Sequence, residues 1–166
     1  MKNLFTKMKI KEKYIILGIF LFAFLLRLIF KNAGLFHFDS YADVRTVEQI
    51  FETSKFQYSY AYGAPTVMAI TFIFFMLDKL IFGALHAENA YFFITFLTAA
   101  LSAVLLYLIA KKITKNKFIG IVSSLIFIVN PVFLAVTTYP KTHSISIFFA
   151  LLGGLLLLKA ADKNSN

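Results

Sequence analysis

The chain has 166 residues, of which 60% are hydrophobic and 15% charged, and its mean hydropathy is +0.78. Soluble domains run at about 45–50% apolar and about 25% charged, so the composition excludes an ordinary soluble domain and points to a membrane protein. With no cysteine there is no disulfide framework, thiolate nucleophile or Cys metal site. The net charge of +9 does not mark a nucleic-acid binder, because the basic residues cluster at the ends of apolar runs, as lysines flanking membrane spans do.

Lys2, Lys7, Lys9, Lys11 and Lys13 precede the first apolar run, 14–30. A basic region followed by an apolar core resembles a signal peptide. No small-x-small cleavage site follows, and Arg27 interrupts the far end, so the segment reads as an uncleaved signal-anchor. Arg27 is expected to snorkel to the headgroups.

Just past this run comes Phe36-His37-Phe38-Asp39-Ser40-Tyr41-Ala42-Asp43. Carboxylates are scarce here, eight Asp and Glu in all, and two of them lie four residues apart where the chain leaves lipid. The segment predicts an amphipathic helix. Ser40 and Asp43 resemble a capping box, and Tyr41, Val44, Val47 and Phe51 make its apolar stripe. A Tyr-rich strip, 56–63, suits a membrane interface. Pro65 suits the first turn of the next apolar helix, 65–85.

Runs 90–110, 118–136 and 144–158 follow. The first two form a hairpin around Lys111, Lys112, Lys115 and Lys117. Asn130-Pro131 predicts a bend within the second. Thr137 to His143 form a short outer turn, and Gly153-Gly154 is a small-residue patch that allows close helix contact in the last run.

Lysine placement decides the topology. If 65–85 crosses the membrane, the cluster at 111–117 falls outside, against the positive-inside rule. If 65–85 stays at the outer interface, that cluster, the N-terminal lysines, Lys159 and Lys163 are all cytoplasmic. Asp78 and Lys79 then avoid the bilayer, where each costs roughly 2.5–3.5 kcal/mol. The expected fold is therefore an all-α, multi-pass membrane protein. Its four spans are near 14–31, 90–110, 118–136 and 143–160, with an extracytoplasmic loop 32–89 of interfacial helices and both termini cytoplasmic in the plasma membrane.

Asp39, at the expected start of the outer helix, is either a helix cap or a functional acid. Asp43, one turn on, either completes the cap or pairs with Asp39 for acid–base work or a divalent cation. Lys141 and His143, on the outer turn, are either interfacial residues or contacts to a lipid phosphate. Arg45, Lys55 and Lys79 are further outer cations. The sequence contains no P-loop, GxGxxG after a strand, HExxH or GxSxG, so no nucleotide site is expected and a substrate would come from the membrane.

The arrangement resembles the amino-terminal part of the GT-C superfamily, polytopic glycosyltransferases that use polyprenyl-phosphate sugars. The protein-mannosyltransferase and aminoarabinose-transferase-like group is the nearest. Leu26-Arg27-Leu28 closes the first span. Gly34-Leu35 leads into Phe38-Asp39, and Ile50-Phe51-Glu52-Thr53 continues the outer helix. Gly63-Ala64-Pro65 starts the next helix. Leu106-Tyr107-Leu108-Ile109-Ala110-Lys111-Lys112 closes the second span, and Asn130-Pro131 lies in the third. The resemblance implies that Asp39 is the catalytic acid–base residue. It also implies that 65–85 is extracytoplasmic, and that the chain corresponds to the N-terminal module of a longer enzyme. Ser40 replaces the family's common Glu, Ala64 stands where some members place a Lys, and His143 falls roughly where some have a second Asp.

The expectation is thus a membrane glycosyltransferase, or its N-terminal module. It would pass a sugar from a polyprenyl-phosphate donor to a lipid, glycan or protein acceptor on the outer face. Asp39 acts as base, Asp43 and His143 as support or metal-site residues, and Lys141 and Arg45 as phosphate contacts. The alternative is a non-enzymatic polytopic membrane subunit or assembly protein.

Overall fold

The computed structural model describes residues 11–31, 38–55, 65–83, 87–139 and 142–164. They form the helices α1 (Glu12–Ile29), α2 (Phe38–Thr53), α3 (Pro65–Phe82), α4 (Ala87–Thr114), α5 (Lys117–Val129), α6 (Pro131–Thr137) and α7 (His143–Asn164). Among the described residues there is no strand, and the all-α expectation holds.

Helix α4 is the axis of the molecule. It has 28 residues, about 42 Å at about 1.5 Å per residue, and touches every other helix. Ala99, Ala100 and Ala103 are fully buried; small side chains let neighbouring helices approach where water-driven burial is weak. One apolar cluster joins Ile19 and Ala23 of α1, Ala100, Ala103, Val104 and Tyr107 of α4, and Ile128 of α5. A second gathers Val44 and Val47 of α2, Phe75 of α3, Ala87, Ala90, Tyr91 and Ile94 of α4, and Ile145 of α7.

The α4–α5 hairpin is set by local chemistry. Lys115 turns the chain at φ +54. The Asn116 side chain then caps α5 by accepting from the Phe118 N–H at 2.8 Å, which satisfies a donor the helix start leaves open. A Cβ on Gly120 would meet the Tyr107 ring and carbonyl at 2.9 Å, so glycine is what allows α5 to lie against α4. Further on, Asn130 Oδ1 accepts from the Phe133 N–H at 3.0 Å and Pro131 takes the first position of α6. Cap and proline together end one helix and start another. The expected bend is accordingly a break of 60° between α5 and α6.

Helices α4 and α7 are each long and apolar enough to cross a membrane, and α5 with α6 qualifies as one bent pair. The exposed flank of α7, with Phe149, Leu156 and Leu157, is the kind of surface that faces lipid, and the chain is an integral membrane protein. Helix α1 has 18 residues and carries Glu12 and Lys13 in its first turn and Arg27 in its last.

Some local expectations change. A Cβ on Gly153 or Gly154 would meet nothing within 4 Å among the described residues, so this pair mediates no close contact there. Helix α2 already includes Phe38 and Asp39, so Ser40 lies inside the first turn rather than capping it. The buried face of α2 is Ser40, Asp43, Val44, Thr46, Val47 and Ile50, whereas Tyr41 is 58% exposed. The Tyr-rich strip 56–63 lies outside the described residues.

Candidate functional site

The first half of α4 receives the starts of α2 and α7. On α2, Asp43 is buried, and its Oδ2 accepts from the Tyr91 hydroxyl of α4 at 3.0 Å. On α7, the Ser144 hydroxyl is buried and hydrogen-bonded to the Thr98 hydroxyl at 3.1 Å. Ile145 packs in the same cluster as Val44 and Tyr91. The starts of α2 and α7 therefore meet on one stretch of α4. Each start carries partial positive charge from unsatisfied N–H groups, equivalent to about +0.5 of an elementary charge, which favours anions.

The face of α4 that receives them is polar. Tyr91, Thr95, Thr98 and Ser102 recur at helical spacing and are all buried. Thr98 and Ser102 donate to the carbonyls of Ile94 and Thr98 at 2.8 and 2.7 Å, which satisfies their hydroxyls inside an apolar helix. Thr95 Oγ1 is buried without a hydrogen-bond partner. Sequence reading passed over this stripe because each hydroxyl alone looks innocuous in an apolar run. The signal was the period, one hydroxyl every three or four residues.

Arg27 was also misjudged. Instead of snorkelling, its side chain is fully buried. Nε donates to Thr137 Oγ1 at 3.1 Å and Nη1 to the Ala23 carbonyl at 2.9 Å. The guanidinium stacks 4.8 Å from the Phe133 ring centroid. It sits in the last turn of α1 and against the last residue of α6, two helix ends whose carbonyls favour a cation. Among the described residues no carboxylate pairs with it, and Nη2 has no hydrogen-bond partner. Arg27 thus ties the end of α1 to the end of α6 at the level where α2 and α7 start.

The expected site residues fall as follows. Asp39 belongs to the first turn of α2, one turn before Asp43; its side chain lies outside the described residues, as does Lys141 entirely. His143 is the first residue of α7 and is exposed, two positions before Ile145, so the backbone brings the Asp39 and His143 positions to the same end of the bundle. Asp43 points into the helix packing and bonds Tyr91. Arg45 is exposed and engaged on its own helix, 3.0 Å from Glu48 and 3.6 Å from Glu52. The Glu48 hydrogen bond, then the charge of Glu52, push its guanidinium further above the usual range. Other cations border this end: Lys31 lies 4.1 Å from the Phe92 ring centroid and Lys79 lies 3.9 Å from that of Phe51. Among the described residues no three His, Asp or Glu side chains are grouped to hold a metal ion.

An end of a membrane bundle where helix starts, buried hydroxyls and cations gather suits a phosphate-bearing lipid. No curated protein and no solved structure matches the chain. Residues 84–166, half of the chain, match the family described as dolichyl-phosphate-mannose-protein mannosyltransferase. This stretch contains α4 with its hydroxyl stripe, the bent α5–α6 pair and α7, and on it the chain belongs to the dolichyl-phosphate-mannose-protein mannosyltransferase family.

Proposed function

We propose that the chain serves a membrane mannosyltransferase that moves mannose from a polyprenyl-phosphate donor to a protein acceptor on the extracytoplasmic face. The observation that carries this reading is the meeting of the α2 and α7 starts on the hydroxyl-lined first half of α4, with α4 and α7 both in the family-matched stretch.

In this reading the Asp39 carboxylate takes the proton of the acceptor nucleophile. The nucleophile attacks the anomeric carbon of mannose, the bond from that carbon to the phosphate oxygen breaks, and lipid phosphate leaves. General-base help of this kind is worth about 10²–10⁴-fold. The leaving phosphate is already anionic, so it needs positive charge rather than a proton. The N-terminal turns of α2 and α7 supply partial charge. Lys141, two residues before the start of α7, would supply the rest, with His143 as a hydrogen-bonding support. Arg45 is a weaker candidate than its sequence position suggested, because Glu48 and Glu52 hold it. Asp43 supports the site indirectly, by fixing α2 to Tyr91.

The reading carries a topology: four spans, with α2 and α3 outside and the lysines at 111–117 in the cytoplasm. A reporter fused after Lys117 should give a cytoplasmic signal; an outer-face signal there overturns the topology. The activity is tested by labelled mannose transfer from polyprenyl-phosphate-mannose to protein in native membranes with and without the chain. Incorporation should depend on the chain. Equal incorporation in both membranes overturns the enzyme reading and leaves the non-enzymatic subunit.

A further inference from the structure

We infer that the groove between the far ends of α4 and α7 binds an anionic glycerophospholipid. This cavity, about 290 Å³, is lined by Leu108, Lys111 and Lys112 of α4 and Leu155 and Lys159 of α7. Its lining holds three lysines and no acid. Lys111 pairs with Glu12 and Lys112 with Asp162, both reaching in from outside the groove, while Lys159 has no carboxylate partner among the described residues.

The two leucines give the groove an apolar floor, and Leu155 is buried. Beside it Leu156 and Leu157 are exposed, so lipid-facing surface runs up to the lysine rim. Apolar floor, cationic rim and an opening at the lipid boundary match the first methylenes and the phosphate of an anionic lipid. Basic pockets between membrane helices recognise such headgroups. The adjoining chain favours the same charge: Lys115 and Lys117 follow α4, and Lys163 lies one turn past Lys159 on α7, all exposed.

A free phosphate would leave the leucine floor unused. The carrier lipid's phosphate belongs, in the proposed reaction, near Tyr91, about 30 Å away along α4 by helix rise. The groove therefore stands apart from the proposed active site, and its test does not depend on catalysis.

The full chain, purified in mild detergent, is offered equimolar phosphatidylglycerol and phosphatidylcholine, and retained lipid is counted by native mass spectrometry. Phosphatidylglycerol should be retained preferentially. Lys159→Gln should lower that preference about five-fold, the worth of one lysine near a charged membrane surface, and Lys159→Arg should restore it. Lys117→Gln, outside the groove, should leave it unchanged. Equal retention of the two lipids overturns the inference, as does a Lys159→Gln protein with wild-type preference. A Lys117→Gln loss as large as that of Lys159→Gln would show a diffuse collar instead of a groove. Displacement of phosphatidylglycerol by equimolar polyprenyl phosphate would assign the groove to the carrier lipid; both results overturn the inference.

Discussion

The two ends of α4 handle charge in opposite ways. At its far end many lysines stay at the surface, two of them paired with Glu12 and Asp162, and the helices beneath pack through Gly120 and Tyr107. At its start, acidic and basic residues are mixed, and Arg27, Asp43, Ser144 and the Tyr91–Ser102 stripe are buried between helices. The lysine-rich end is the one where charge is cheap. A buried polar group in a membrane bundle must be held by partners, so it is the start of α4 that is constructed around its polar side chains.

That contrast predicts unequal responses to substitution. Arg27→Ala should have the largest effect on stability, about 2–5 kcal/mol by the scale of buried large-to-small changes, read as loss of thermal midpoint in detergent. Arg27→Met, which keeps most of the volume but none of the donors, separates packing from hydrogen bonding. If both variants melt like wild type, Arg27 does not hold α1 to α6. Tyr91→Phe should cost about 1.5–3 kcal/mol, the range for a hydrogen bond to a charged group. It should also raise amide exchange in α2, and unaltered exchange would mean that Asp43 is anchored elsewhere.

At the lysine end, Gly120→Ala should cost about 1–3 kcal/mol by overpacking against Tyr107. A larger loss than Arg27→Ala would reverse the contrast and make the α4–α5 hairpin the critical joint. Smallest of all is Arg45→Ala. The side chain is exposed, and exposed ion pairs contribute little, so the thermal midpoint should not move. A clear drop would mean that the Arg45, Glu48 and Glu52 network holds α2 in place.

Much of the lysine end and of the α5–α6 break was legible in the sequence, because the lysine clusters and Asn130-Pro131 act locally: an apolar run, a basic loop and a cap each state their structure within a few residues. The α4 start was legible only in part. The sequence identified α2 as a helix, but not that Asp43 turns to Tyr91, 48 residues away. Nor did it show that Arg27 reaches Thr137, 110 residues away. Such partners are fixed by how helices cross, and no local pattern carries that information. The capping-box reading of Ser40 and Asp43 is displaced because α2 already starts at Phe38, and Asp43 also accepts from a distant hydroxyl. Gly153-Gly154 permits a close contact that the described helices do not make.

The central claim is that Asp39, at the start of α2, is the base of a mannosyl transfer. It is tested most directly by exchanging Asp39→Asn in the protein as the cell expresses it. Labelled mannose transfer from polyprenyl-phosphate-mannose is then measured in those membranes, normalised to the amount of protein. The account predicts a loss of about 10²–10⁴-fold with expression and melting unchanged. Near-normal transfer by a well-expressed Asp39→Asn protein would contradict it.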